Sequence, residues 1–218
     1  MEINMAKMNS KTVWELIKYD GGPINGTQRV MNIKVKVTQD YPLVSLVSMI
    51  APSPDWFTGT MNENLCNNAT GMWRDSLEDT TLAPWDAGTE DGNMFSTINS
   101  QTMPKGNIAI ISKGSNTPFK NVPGQSIATL GKLMFQRISK PAMPSCTGEQ
   151  KYKVTFKTLW NQEMHPNGFP SGAHFSSLVV ATHTYNYKMW SLMTRASKGV
   201  EEVAETGASR LFPNRKKN

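Results

Sequence analysis

From Met31 to Thr38 the chain reads MNIKVKVT. Ile33, Val35 and Val37 fall on one face, and Asn32, Lys34, Lys36 and Thr38 on the other. A period of two predicts a half-buried strand. Leu43 to Ile50, LVSLVSMI, is almost continuously apolar, which predicts a more central strand. Asn107 to Ser112, NIAIIS, is short and β-branched. Ala128 to Ile138 alternates around Leu130, Leu133, Phe135 and Ile138, with Gly131 as a candidate bulge. Lys151 to Trp160 places Tyr152, Val154 and Phe156 on one face. Phe175 to Thr182, FSSLVVAT, predicts another strand or an extended buried segment.

Helical patterns are few. Ser197 to Thr206 has an N-cap serine, apolar Val200, Val203 and Ala204 at helical spacing, and Gly207 as a stop. Thr12 to Tyr19, TVWELIKY, predicts a second short helix with Thr12 as cap and Glu15 at the capping-box position. Between these elements the chain is rich in Gly, Pro, Asn and Ser. Ser139 to Gln150, with two prolines and a glycine, reads as a linker. Many short strands, long loops and one or two short helices predict a mainly β, antiparallel β-sandwich.

Composition bounds this picture. A chain of 218 residues suits a single domain, and a domain of this size buries roughly 70% of its unfolded surface without needing a metal or disulfide to fold. Its 38% hydrophobic and 18% charged residues are those of a globular chain. No stretch approaches the roughly 18 uncharged apolar residues of a transmembrane segment. The first residues, MEINMAKMNSKTVWELIKYDGG, contain no apolar core of a signal peptide. The expectation is a chain without its leader, or one that does not use that route. The net charge of +6 suits either anionic partners or simply a solvated surface. The basic tail around Arg215, Lys216 and Lys217 contributes to it. Two cysteines, Cys66 and Cys146, leave free thiols and a disulfide equally open.

Against this basic background stand two acidic loops. Ala51 to Thr60 reads APSPDWFTGT, and Pro84 to Gly92 reads PWDAGTEDG. Each sets a carboxylate beside a tryptophan, Asp55 by Trp56 and Asp86 by Trp85, on a segment shaped by proline and glycine. Such carboxylates either form an oxygen-ligand metal site or cap turns through backbone amides. No EF-hand, phosphate loop or G-x-S-x-G pattern occurs. His165, His174 and His183 lie nine residues apart. That is not a zinc-site spacing, so packed or hydrogen-bonded histidines are expected. The six tryptophans are expected mainly in the core and loop packing.

The same residues carry a family resemblance. LVSLVSMIAPSPDWFTGT, NENLC, APWDAGTEDGNMFSTINSQTMP and GKLMFQRI resemble the second half of a spondin domain, the module of the F-spondin/mindin family. YKVTFKTLWNQEMHP, HFSSLVVATHTYNYKMW, ASKG and GVEEVAETG resemble its first half. The order is exchanged, so the chain looks like a circular permutant. Residues 12–138 match the family's second half, 139–150 link the halves, 151–212 match the first half and 213–218 form a basic tail. Permutation of this kind is physically accessible because domain termini are often close.

The resemblance implies a sandwich similar to calcium-dependent lipid-binding domains. It implies a calcium ion held by Asp55, Asp86 and Glu90, with glutamate standing where the family has aspartate. Asp91 is the alternative third ligand. It implies a Cys66–Cys146 disulfide, worth roughly 3 to 4.5 kcal/mol on the chain-entropy model, and hence an oxidising, extracellular compartment. There the sequons at Asn25 and Asn68 become candidate glycosylation sites. The implied function is non-catalytic binding or adhesion. Its partners would be matrix glycans or cell-surface and matrix proteins, not nucleic acid. Two alternatives stay open: a subunit that polymerises into a homo-oligomer or filament by exchanging its C-terminal half, and a metal-assisted hydrolase using the acidic loops and a histidine, His165 or His174.

Overall fold

A computed structural model describes residues 11–19, 24–25, 30–112, 116–119, 127, 129–138, 145–212 and 215–216. The strands, in chain order, are β1 (Val13–Lys18), β2 (Ile24–Asn25), β3 (Val30–Thr38), β4 (Leu43–Ala51), β5 (Trp56–Asn64), β6 (Cys66–Asn67), β7 (Met72–Trp73), β8 (Ser76–Leu82) and β9 (Pro84–Asp86). There follow β10 (Glu90–Asp91), β11 (Ser100–Gln101), β12 (Ala109–Ile110), β13 (Gly131–Arg137), β14 (Glu149–Thr158), β15 (His174–Phe175) and β16 (Val179–His183). Helix α1 (Lys198–Thr206) and strand β17 (Arg215–Lys216) complete the order.

Two antiparallel sheets pack face to face. The larger runs β12-β9-β5-β4-β16-β1-β17, with β15 also on β4 and β2 on β15; the smaller runs β3-β14-β13-β8. The alternation of β3 sends Met31, Ile33, Val35 and Val37 inward. They meet Leu133 and Phe135 of β13, Tyr152, Val154 and Phe156 of β14, and Val44, Leu46 and Ile50 of β4. Strand β4 is buried at all nine positions. One of its faces meets the smaller sheet. The other, through Val47, joins a second cluster with Phe57, Trp190, Val200, Val203 and Ala204. Covering by a sheet on one side and a helix on the other explains why LVSLVSMI is continuous and not alternating.

Helix α1 forms as expected. Ser197 Oγ accepts the amide of Val200, and Gly207 closes the helix with φ 67°, a left-handed conformation that glycine adopts without a Cβ penalty.

Several expectations are corrected. Thr12 to Tyr19 is not a helix, because β1 pairs antiparallel with β16. Glu15, predicted as a capping-box acid, is buried, and its Oε2 accepts the backbone amide of Lys36 in β3 at 2.9 Å. Sheet pairing outweighs the local capping pattern. Gly131 is not a bulge. It is in register with Thr158 and Leu82, and the irregularity against β8 falls between Leu133 and Phe135. A Cβ at Gly131 would lie 2.7 Å from the Lys157 carbonyl oxygen, so glycine there permits close strand approach. The expected strand at Asn107 to Ser112 shrinks to Ala109–Ile110, and Phe175 to Thr182 divides between β15 and β16. Glu149 and Gln150 belong to β14 and not to a linker. In the tail, Arg215 and Lys216 pair with Leu16 and Glu15 of β1; Lys217 lies outside the described residues.

The cysteines are bonded. Cys66 and Cys146 form a disulfide with Cα atoms 5.8 Å apart, across a sequence separation of 80. It ties the β6–β7 turn to the segment leading into β14, and the Cys146 amide donates to the Gly71 carbonyl at 2.9 Å.

Candidate functional site

The two acidic loops meet at one end of the larger sheet. The chain leaves β4 at Ala51 and re-enters at Trp56, so Asp55 sits in the turn between adjacent strands. Strand β9 pairs beside β5, with Asp86 opposite Trp56. The loop after β9 then crosses Asp55. The Asp55 carboxylate Oδ2 accepts from the Thr89 amide at 2.6 Å, the Thr89 hydroxyl at 3.2 Å and the Glu90 amide at 3.1 Å. The Asp55 carbonyl accepts from Ala87 at 3.2 Å. Asp86 Oδ1 accepts the Gly88 amide at 2.7 Å. Both aspartates therefore do cap turns, the structural role open to them from sequence.

Capping does not satisfy every oxygen of Asp55. Asp55 is 0% exposed, and its Oδ1 is buried with no partner among the described residues. Leaving a buried carboxylate oxygen unmatched costs on the order of 1–3 kcal/mol or more. A second oxygen is in the same position: Oε1 of Glu205, in the last turn of α1. The groups sense one another. Burial raises the pKa of Asp55 against the pull of the Thr89 and Glu90 hydrogen bonds, and the charge of Glu205 adds to it. Asp86 is pushed up to about 6 by burial and then by the charge of Asp55. Glu90 is raised by burial, then by Glu205 and Asp55.

Glu205 was not foreseen. The last turn of α1 carries this acid and no base, although the negative end of a helix dipole disfavours a carboxylate. The charge of Glu205 is felt by Lys105, whose pKa burial lowers but Glu201 and then Glu205 raise, with a net upward shift.

Glu90 and Glu205 also line a cleft of about 570 Å³. Met49 and Ala51 give it an apolar side; Asn99, His174 and Ser176 give it polar groups. Asp91, the alternative ligand, is exposed, and its Oδ1 accepts from the Thr102 hydroxyl at 2.6 Å. Among the described residues no three His, Cys, Asp or Glu side chains already converge as a metal-binding group. The corner is instead an open set of oxygens, in which the charge of Asp55 reaches Asp86 and Glu90, and that of Glu205 reaches Asp55 and Glu90. All-oxygen donors suit a hard cation such as calcium.

The histidines do not meet. His174 pairs with Ala51 at one end of β4, and His183 with Leu43 at the other. Eight residues of strand separate those partners by roughly 26 Å. His165 is buried against Phe119. His183 Nδ1 donates to the Thr184 carbonyl at 2.9 Å, which leaves Nε2 to accept from the Ser45 hydroxyl at 2.8 Å. This serine–histidine pair is 0% exposed at both members, and Ser45 Oγ further accepts the Asn62 amide at 2.9 Å. It is a core hydrogen-bond network closed to substrate. Trp56, Trp73, Trp160 and Trp190 are buried as expected, with Trp14 and Trp85 half-buried.

Comparison with known proteins identifies the family. The Spondin_N family model matches residues 1–128 and 150–218, which include both acidic loops, Cys66 and α1; β13 and Cys146 fall between the two matched segments. The chain belongs to the spondin-domain family. Spondin-1 of Rattus norvegicus is 30% identical over 120 residues, 54% of this chain and 14% of that protein. Spondin-1 of Homo sapiens is 33% identical over 100 residues, 45% of this chain and 12% of that protein. Spondin-2 of Homo sapiens is 38% identical over 82 residues, 38% of this chain and 24% of that protein. The aligned part is thus a quarter or less of each relative's length. The spondin domain here is mainly antiparallel β with one described helix.

Proposed function

We propose that this spondin domain is a non-catalytic, extracellular binding or adhesion module whose acidic corner takes a calcium ion. The observation that carries the reading is that two buried oxygens, Asp55 Oδ1 and Glu205 Oε1, have no hydrogen-bond partner among the described residues. Asp55, Asp86 and Glu205 are the proposed principal ligands, with Glu90 at the cleft edge as the fourth carboxylate. A calcium ion held there would tie the β4–β5 and β9–β10 loops to the end of α1 and replace carboxylate repulsion with attraction. The 570 Å³ cleft beside it, with Asn99, His174 and Ser176 on its walls, is the proposed contact surface for matrix glycans or for cell-surface and matrix proteins.

The exchanged order of the two halves belongs to the same reading. The family match falls into two segments, 1–128 and 150–218, and each named relative aligns with about half of the chain or less. Strands β13 and β14 are antiparallel neighbours, and the Ile138 amide donates to the Lys151 carbonyl at 2.9 Å. A join at this point needs little chain, which favours permutation as its origin.

The binding reading is tested by passing the purified chain over immobilised sulfated glycosaminoglycans and over matrix protein. Retention in calcium and release by chelator is the expected result. Retention unaffected by chelator, or by Asp86→Asn, would contradict the calcium-dependent reading.

A further inference from the structure

The turn between β6 and β7 carries a sequon, Asn68-Ala69-Thr70. Residues 68–71 are all exposed. The turn is held from within: the Asn67 carbonyl accepts the Thr70 amide at 3.2 Å and the Gly71 amide at 2.8 Å. It is also held from below, by the Cys66–Cys146 disulfide. The Asn68 side chain is already oriented. Its Oδ1 accepts from Asn64 Nδ2 at 3.0 Å and from the Tyr185 hydroxyl at 3.2 Å. Asn64 Nδ2 also donates to the Tyr185 oxygen at 3.0 Å. The carbonyl end of the amide is thus tied inward, while Nδ2 makes no hydrogen bond to a described residue. Tyr185, whose hydroxyl meets this amide, is 55% exposed and offers a large aromatic surface next to the turn.

We propose that Asn68 carries an N-linked oligosaccharide whose first sugar packs against Tyr185. The donor is a polyprenyl-pyrophosphate-linked oligosaccharide of the secretory pathway. Asn68 Nδ2 attacks sugar C1, the C1–phosphate bond breaks, one amide proton is lost and the polyprenyl pyrophosphate leaves. Tyrosine suits the contact because it offers an apolar face with a polar tip. A sugar there would also cover the exposed Met72, 44% accessible in the same turn. The other sequon asparagine, Asn25, lies in β2 paired with β15, and the proposal does not extend to it.

The proposal rests on the extracellular reading, so its test separates the two. The full chain is secreted from eukaryotic cells behind a heterologous leader, which makes entry independent of its native route. Intact mass is then read before and after amidase removal of N-glycans. The expected result is one glycan lost in Asn68→Gln and in Thr70→Ala, and retained in Asn25→Gln. Thr70→Ala keeps the Asn68 hydrogen bonds, so a folding defect of Asn68→Gln does not obscure the result. Secreted, folded protein with Asn68 unmodified would overturn the proposal. Tyr185→Ala is expected to speed enzymatic release of the glycan several-fold under native conditions; an unchanged rate would overturn the packing against Tyr185. Native routing is read separately, from whether the Cys66–Cys146 bond is present in protein recovered from its own source.

Discussion

Asp55 and Glu205 lie 150 positions apart in sequence, one in a strand turn and one in the last turn of a helix, yet each has one buried carboxylate oxygen with no partner among the described residues. The charge of Glu205 contributes to the raised pKa of Asp55. Two like charges held this way oppose folding unless a cation joins them. Glu205→Gln removes one charge and relieves the helix C-terminus. In chelator it is expected to stabilise the domain by about 1 kcal/mol, while weakening any stabilisation by calcium. Urea unfolding with and without calcium checks both signs.

Asp55→Ala is expected to behave differently. It strips the acceptor from the Thr89 and Glu90 amides and from the Thr89 hydroxyl. Loss of these charge-assisted bonds at a buried site should destabilise the metal-free protein by roughly 2–4 kcal/mol. Asp55→Asn, which retains an oxygen, should lose less. Equal stability of both variants and the parent would contradict the role of Asp55 as a loop organiser.

Buried His183 gives the fold an acid sensitivity. It faces Ser45 Oγ, the Thr184 carbonyl and, at 5.0 Å, the Tyr187 ring. Burial lowers its pKa to about 4, against the Thr184 hydrogen bond. Its folded-state pKa is depressed, so the unfolded chain binds the proton first. The stability it contributes is present above about pH 6.5 and is lost as pH falls toward 4, in total about 3 kcal/mol. Asp86, raised to about 6, titrates with the opposite sign. The difference between parent and His183→Gln isolates the histidine. That difference should shrink by about 3 kcal/mol from pH 7 to pH 4; a pH-independent difference would contradict it.

The disulfide and Gly59 test the scaffold. Replacing Cys66 and Cys146 by serine should cost about 2–5 kcal/mol. Gly59 pairs with Val47, and a Cβ there would lie 2.1 Å from the Leu46 carbonyl oxygen. Backbone cannot yield as a side-chain tip can, so Gly59→Ala should destabilise by about 2–4 kcal/mol. A thermal midpoint unchanged by either substitution would count against the described β4–β5 pairing or the disulfide's role.

Both halves pair within one chain, since β14 lies between β3 and β13, and β16 between β4 and β1. A monomer is therefore expected across a wide concentration range. Light scattering that showed growing assemblies would favour exchange of the C-terminal half instead.

Strands with a clear period or a long apolar run, such as β3, β4 and β14, were legible in the sequence because one or both faces are buried against fixed partners. Strand β1 was not, since its local signals favour a helix and only pairing with β16 decides otherwise. Strand β8, Ser76–Leu82, gave no pattern because its apolar content is low. In the acidic corner, Asp55, Asp86 and Glu90 were legible from the loops and the family resemblance. Glu205 was missed because a helix brings it there from the far end of the chain. Only its place at a helix C-terminus without a base pointed to it.

The most direct test is calorimetric titration of calcium into chelator-treated parent protein, followed by thermal unfolding of both forms. A single site is predicted. Saturation at a hundred times its Kd should add about 2.7 kcal/mol of stability, reduced in Asp86→Asn and Glu205→Gln. No binding heat and an unchanged unfolding midpoint would contradict the calcium-holding corner.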